Sequence, residues 1–529
     1  MKNIIKKAVV MMLCCMMVIS IFACSPSTEN QQMDSSTKSP DGSTDLTGDQ
    51  TNPERDTLTI AITFDTGTLD YNNMAGFNNP MRMVQEPLWN LDANGDIVYV
   101  LASELDQIEP TKWHIKLREG VTFENGNPLT AEDVFFSIRR VNDRQPPLIP
   151  NLNMERSRAL DEYTIELIFD EYNFSDIASL TMLVIFDEES FDEVAAATTP
   201  NGTGPYTVTD YLPGSHLNMT LRDNYWGEMP SIKNLNFRIM VEDSQRINEI
   251  RTGMLDIAPV PYQDGQFVGT LDGYDVIVSD SAMVRTVAFN PSENSVFYDN
   301  PDARKAVALA IDRQAIIDVA YSGYATKSRL PAPASLFDVE DRFLDLGIYA
   351  NGYDPVLAKE YAERSGLVGK EIRLINEGAA DVKVVSELIQ DNLRAIGVEV
   401  NVINMDPGSW IPFTMDLTQY DMAVDFFNAA SNMVAQGLFN FFNYFYGGPY
   451  MRYPWPGSEQ GRALAIGITS ITDPQERREA TFELLKLHVE AMPMCALVDL
   501  QELVAVKSDL VGYERLLLGV IDYRKLSWA

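Results

Sequence analysis

Histidine is almost missing from this chain: His114, His216 and His488 are the only three in 529 residues. No pair of them stands in the H-E-x-x-H spacing, and neither a G-x-S-x-G elbow nor a P-loop occurs. Zinc peptidases of that type, α/β-hydrolases and P-loop nucleotidases are thereby excluded. A glycosidase-type carboxylate pair is the one enzyme reading left, because sequence spacing does not report a separation across a cleft. Cysteine is scarce too, at four, and Cys14 and Cys15 lie in an N-terminal leader. That leaves Cys24 and Cys495, which excludes a disulfide framework and a cysteine metal cluster. Cys495, within AMPMCALV, reads as an inert core thiol. Basic residues are few: 41 against 76 acidic ones, a net charge of −35. Nucleic-acid phosphates would be repelled, so no nucleic-acid partner is expected. No internal repeat is visible.

Long apolar runs are likewise absent, with one exception at the start. Lys2, Lys6 and Lys7 precede AVVMMLCCMMVISIFA, residues 8–23, which is shorter than the usual membrane span. A basic segment before a short apolar run is an export signal. It ends in IFAC, Ile21 to Cys24, which resembles the bacterial lipobox, although Phe22 is bulkier than usual before the last small residue. The resemblance implies a signal peptide over 1–23 and lipid on Cys24; a plain signal peptide cut elsewhere is the alternative. Ser, Thr, Asp, Gly and Pro then dominate to Asp56. Such a segment buries too little to offset its ordering entropy, so 24–56 is expected to be a disordered tether.

A chain of this length exceeds one ordinary core, and two or three lobes are expected. TLTIAI (57–62) reads as a strand, and KWHIKLREGVTF (112–123) as a half-buried one by its alternation. Thr130 before AEDVFFSIRRV, with Asp133 three residues on, is close to a capping box. Val134, Ile138 and Val141 then share a helical face. Two strands flank Pro213-Gly214 as a hairpin, and Asp312, Asp354 and Asp473 are placed to start helices. EIRLIN, a helix marked by Val382, Val385, Ile389, Leu393 and Ile396, and VEVNVIN form a βαβ unit with parallel strands. The class is α/β, mixed rather than strictly alternating.

One block, LREGVTFENGNPLTAEDVFFSIRRV (117–141), is distinctive. GTLDYNNM, GTGPYTV, RDNYWG, GMLDIA, VAFN, DARKAVALAIDRQAI, YDPVLAKEY and LRAIGVEV accompany it in order along the chain. Together they resemble family 5 of the bacterial extracellular solute-binding proteins, the receptors of peptide- and nickel-type ABC importers. The resemblance implies a two-lobed periplasmic-binding-protein-like fold of type II, with an extra domain and mixed sheets flanked by helices. One lobe would comprise 57–283 and 496–529 with an insert about 91–199, and the other 284–495. The chain would cross between them near Val284–Asn290 and Met492–Leu500. The function implied is non-enzymatic: capture of an oligopeptide or peptide-like solute by lobe closure and delivery to a membrane permease. An oligosaccharide or a metal chelate, such as a nickel complex, is the alternative ligand, and signalling or chaperoning without transport the alternative role. No cofactor and no directly bound metal are expected. The protein is expected to be a monomer, extracytoplasmic and lipid-anchored to the cell membrane, at the cell surface or in a periplasm.

For peptide receptors the resemblance implies an acid shortly after the Tyr420-Asp421 pair, facing the ligand's amine. In this sequence Ala430 occupies that position, and Asp425 is the nearest carboxylate. The stretch from Phe426 to Gly448 is rich in aromatics and asparagines. Phe426, Phe427, Asn428, Ala430 and Asn432 are expected to line the pocket, and Leu438 to Tyr446 to pack as a helix. Arg285 shares a strand face with Val287 and Phe289; it is either a clamp for a ligand anion or a solvated rim residue. Trp410 and Trp455 sit in turn-rich contexts as either ligand wall or packing. Thr63, Phe64 and Asp65 are further candidates, from the family's N-terminal cleft loop.

Overall fold

Two long strands, Tyr274–Phe289 and Met494–Lys507, run antiparallel through the middle of an eleven-stranded sheet. The computed structural model describes residues 55–65, 67–73, 79–92, 95–143, 148–149, 151–336, 338–348, 352–414, 416–428, 434, 458–514 and 521–529. Arg55–Ala529 form one compact unit. The leader, Cys24 and nearly all of the expected tether lie outside the described residues, as do Ala430, Asn432, Trp455 and the span expected as a packing helix.

On one side of the long pair the sheet continues through Ile257–Pro259, Thr57–Ile62, Asn234–Ile239, His216–Leu221 and Tyr206–Leu212. On the other it continues through Met422–Asn428, Glu371–Asn376 and Glu399–Asn404, the last two parallel as the βαβ reading requires. Successive residues send their side chains to opposite faces. Hence Leu374 and Val424 enter one core, under the helices Pro301–Ala310, Pro355–Ser365 and Ala380–Ala395, while Ile375 and Ala423 enter another. That second core is closed by the helices Ser458–Thr469 and Pro474–Ala491. Ile60 and Ala61 divide in the same way in the first half.

A separate four-stranded antiparallel sheet, in the order Ala102–Glu109, Lys112–Leu117, Thr164–Ile168, Arg158–Asp161, carries its own core with the helix Ala131–Asn142. The Asp133 carboxylate accepts from the Thr130 N–H and hydroxyl at 2.8 and 2.9 Å, and Val134, Ile138 and Val141 are buried. The strand read over 112–123 stops at Leu117, because Glu119-Gly120 turn the chain. The GTGPYTV motif is scaffold. A Cβ on Gly202 would stand 1.9 Å from the Val84 carbonyl oxygen, and one on Gly204 2.3 Å from that of Met83. Asp312, Asp354 and Asp473 each accept hydrogen bonds from backbone N–H groups in the first turns of their helices. Both crossing strands are longer than their sequence segments implied, since each pairs in both halves of the sheet.

Candidate functional site

The strand register defines a focal zone. Asp280 pairs with Gln501 and Val284 with Asp499, so residues 281–283 of the first long strand oppose Leu500 alone. This bulge divides the pairing of the two halves. Thr57–Ile62 and Ile257–Pro259 run toward the bulge from one side. Glu371–Asn376 and Met422–Asn428 run toward it from the other, with Thr286 opposite Asp425 and Met283 opposite Asn428. Carboxyl ends of parallel strands from both halves therefore converge on one place, where open α/β sheets bind ligands.

Arg285 lies in this zone, 6% exposed. Its Nε donates to the Tyr321 hydroxyl at 3.1 Å, Nη1 to Glu377 at 3.3 Å and Nη2 to Asp381 at 3.2 Å. The solvated-rim expectation for Arg285 needs correcting, since the side chain is buried, and its charge is matched by two carboxylates. Burial disfavours the guanidinium's charge, but Tyr321, Asp381 and Glu377 outweigh it and hold the pKa above its usual value. Burial pushes the Tyr321 hydroxyl up to about 12. Tyr321 meets Tyr262, which follows the strand Ile257–Pro259, edge-on with ring centres 5.0 Å apart. Tyr262 donates to the Gln501 carbonyl at 2.9 Å. The Arg285 network thus reaches both halves of the sheet.

Glu377 owes its position to the turn ending Glu371–Asn376. The Asn376 side-chain oxygen accepts from the Gly378 N–H at 2.9 Å, while its amide donates to Ser386 and Asn404. Gly378 has φ +78°, and a Cβ there would come within 2.1 Å of the Met405 carbonyl oxygen. Asp425, only partly exposed, accepts from the Phe426 N–H at 2.8 Å. Burial, with Glu377 adding to it, pushes Asp425 up to about 7 against the pull of that N–H and of Arg285.

Phe64 and Phe426 are 51% and 39% exposed, at the carboxyl ends of strands from opposite halves. Thr63 is half-buried beside Phe64. Asp65 is a fastening: it accepts from the Gly67 N–H at 3.0 Å, the Tyr211 hydroxyl at 2.8 Å and the Gly214 N–H. Burial opposes its ionisation, yet these three bonds hold it below the usual carboxylate range. Trp410 is 9% exposed and packs in the core with Ile375 and Tyr420, so the ring serves packing rather than a ligand wall. Phe427 and Asn428 take their places in the strand opposite Val284 and Met283. Glu377, Asp381, Tyr321 and Asp499 were missed as sequence candidates. Glu377 and Asp381 were legible in principle, because they occupy the strand-to-helix turn of the βαβ unit. Tyr321 and Asp499 carried no such signal.

His114 pairs with Glu166 at 3.1 Å and His216 with Asp210 at 2.8 Å, both away from this zone. His488 is buried, which holds its pKa down to about 3. Among the described residues, no three of His, Cys, Asp and Glu are grouped to hold a metal ion, and no helix is long and apolar enough to cross a membrane.

Comparison with known proteins places this geometry. The glutathione-binding protein GsiB of Pectobacterium atrosepticum is 24% identical over 334 residues. The match covers 61% of this chain and 63% of that relative, so the chain spans under two thirds of its length. The oligopeptide-binding protein AppA of Bacillus subtilis, solved with a nonapeptide, superposes with a TM-score of 0.75 at 16% identity, over 89% of this chain and 99% of AppA. DppA of Helicobacter pylori, an ABC transporter-associated periplasmic binding protein solved with the peptide STSA, gives a TM-score of 0.75 at 19% identity, over 89% and 98%. The fold is therefore that of the type II periplasmic binding proteins. The sequence profile of the bacterial extracellular solute-binding proteins, family 5 Middle, matches residues 96–449, and the chain belongs to that family.

Proposed function

We propose that this chain is an extracytoplasmic receptor that captures an oligopeptide or peptide-like solute by lobe closure and delivers it to the permease of an ABC importer. The observation that carries this reading is the convergence of strand carboxyl ends from both halves on the bulge of the two long strands, with exposed Phe64 and Phe426 beside it. In this reading the lobes are 57–283 with 496–529, and 284–495, with an inserted domain over about 91–199. Paired crossing strands with a bulge between them are a hinge, and affinity is then linked to the open–closed equilibrium. Capture needs no covalent step, and no catalytic role is assigned to any residue. The names of the relatives support a peptide or peptide-like ligand. Lys2, Lys6, Lys7, the apolar run and IFAC support removal of 1–23, lipid on Cys24 and a tether to Asp56.

Native mass spectrometry of the full-length protein, expressed in bacteria and extracted from membranes, tests the whole reading. The expected mass is that of a monomer beginning at Cys24 with attached lipid, carrying a co-purified solute of peptide mass. Retention of residues 1–23, or a mature chain without lipid, would remove the anchor. A sugar or a metal chelate in place of the peptide would overturn the ligand class.

A further inference from the structure

Two tyrosine-bearing turns meet beside the crossing strands. Tyr262–Gly265 follows the strand Ile257–Pro259, in what the lobe reading makes the first lobe. Tyr321–Tyr324 follows the helix Arg313–Ala320, in the second. Both lie along one edge of the long strand Met494–Lys507. Pro259 pairs with Val504 there, and the Val260 N–H donates to the Leu503 carbonyl at 2.8 Å. Ala325, just past the second turn, pairs with Leu500. Between these points the Tyr262 hydroxyl holds the Gln501 carbonyl. The two lobes thus abut on that edge between Leu500 and Leu503.

Each turn lends a ring to the other lobe. Tyr262 packs against the core under Pro301–Ala310, to which Ile317 and Tyr321 belong, as well as against the core of Val260 and Val268 in its own lobe. It meets fully buried Tyr321 edge-on, and the Arg285 Nε fixes the Tyr321 hydroxyl from the far side. In the reverse direction Tyr324 packs against the first lobe's core, with its ring over Gly265. A Cβ on Gly265 would stand 2.8 Å from Tyr324 Cε2 and 2.5 Å from Leu503 Cδ2. Ser322 and Gly323, between the two donated rings, are both left-handed, with φ +53° and +89°. The Tyr324 N–H donates to the Tyr321 carbonyl at 2.8 Å, which closes the turn as type I′ requires. A serine in that region is costly and persists where its surroundings hold it.

We infer that the turns Tyr262–Gly265 and Tyr321–Tyr324 form a side-chain bridge between the lobes, an interlock beside the two crossing strands that fixes the interlobe angle and so sets the open–closed balance. This deepens the receptor reading and rests on it. Two adjacent crossing strands alone leave the lobes free to bend about them, and the bulge at 281–283 eases that bend. The interlock lies on the outer edge of the second strand, where it resists the bend. An edge-on ring pair contributes beyond the area it buries, and a contact of that size shifts a two-state population several-fold. Because the Tyr262 hydroxyl is tied to the Gln501 carbonyl, the ring stays with the crossing strand while the second lobe packs onto it.

The test is small-angle X-ray scattering of the full chain, stripped of co-purified solute, as wild type and as variants whose folding is checked by thermal melts. Tyr262→Ala removes the ring that enters the second lobe and should enlarge the radius of gyration. Gly265→Ala adds one methyl group that meets side-chain ends alone, so the chain still folds, and it should enlarge the radius by displacing Tyr324. The double variant should shift less than the sum of the two, because both changes act on one bridge. Phe267, 41% exposed two residues beyond Gly265, lies outside the interlock, and Phe267→Ala should keep the wild-type radius. An unchanged or smaller radius in both Tyr262→Ala and Gly265→Ala overturns the interlock, as does an equal rise in Phe267→Ala. Fully additive shifts overturn the assignment of both turns to one bridge. In each of these cases the receptor reading stands, because it is judged by the solute mass that the wild-type chain carries in native mass spectrometry.

Discussion

At Asp176 a carboxyl group is 3% exposed with a single long hydrogen bond, 3.4 Å, from the Asn151 amide, and burial pushes its pKa up to about 7. Asp425 stands at about the same value for the same reason. A carboxyl whose pKa is higher in the folded than in the unfolded chain favours folding fully below about pH 4. That advantage is lost as the pH rises through the folded value. His488 works the other way below its ordinary 6.5, because burial keeps the folded imidazole neutral down to about 3. The window from pH 8 to 6.5 keeps that opposing loss to about 0.4 kcal/mol. Across it, stability should rise as the pH falls, by roughly 0.8 kcal/mol for each of the two aspartates. Thermal melts in matched buffers would show this, and Asp176→Asn should remove its share. A melting temperature flat over that window would mean these carboxyls titrate normally. None of this was legible in the sequence, where Asp176 is one acidic residue among 76. Arg285 was picked out from its strand phase alone, but its three partners lie 36, 92 and 96 residues away, and alternation says nothing about them.

Elements were far more legible, because their signals are local. Capping side chains, apolar phase and turn glycines act within a few residues, and the Thr130 box and the parallel βαβ unit came out as the pattern required. The Glu377-Gly378 turn shows an element serving the site. Its left-handed Gly378 presses against the Met405 backbone, so the turn sets where Glu377 meets Arg285. Gly378→Ala combines an unfavourable φ with a clash against backbone, and should cost about 1–3 kcal/mol in urea unfolding. It should also release Glu377 from the ion pair. Wild-type stability in that variant would show that the turn can re-form by another path.

At the scale of the whole molecule, a contact joins the expected insert to the segment that the lobe reading assigns to the other lobe. Phe174, in the expected insert, packs against the core closed by Pro474–Ala491, and the Arg477 guanidinium lies 4.7 Å from its ring centre. A cation–π contact of this kind contributes about 1 kcal/mol. That is enough to shift an open–closed balance several-fold. Phe174→Ala should therefore populate the open form, visible as a larger radius of gyration of the ligand-free protein in small-angle X-ray scattering. An unchanged radius would mean that this contact does not hold the lobes. The acid-rich crossing zone belongs to the same scale, since its residues come from six segments between Tyr262 and Asp499 that only the assembled sheet brings together.

By itself the sequence determined the family, through an ordered series of motifs, and the α/β class, through local periodicity. These are properties of neighbours along the chain, and short-range sterics, capping and apolar spacing are sufficient to write them. Only the tertiary structure decided what Arg285, Asp65 and Trp410 do. A side chain's charge state and partners depend on burial and on groups far away along the chain, 36 to 149 residues for Arg285 and Asp65, which only the folded sheet brings within hydrogen-bonding distance.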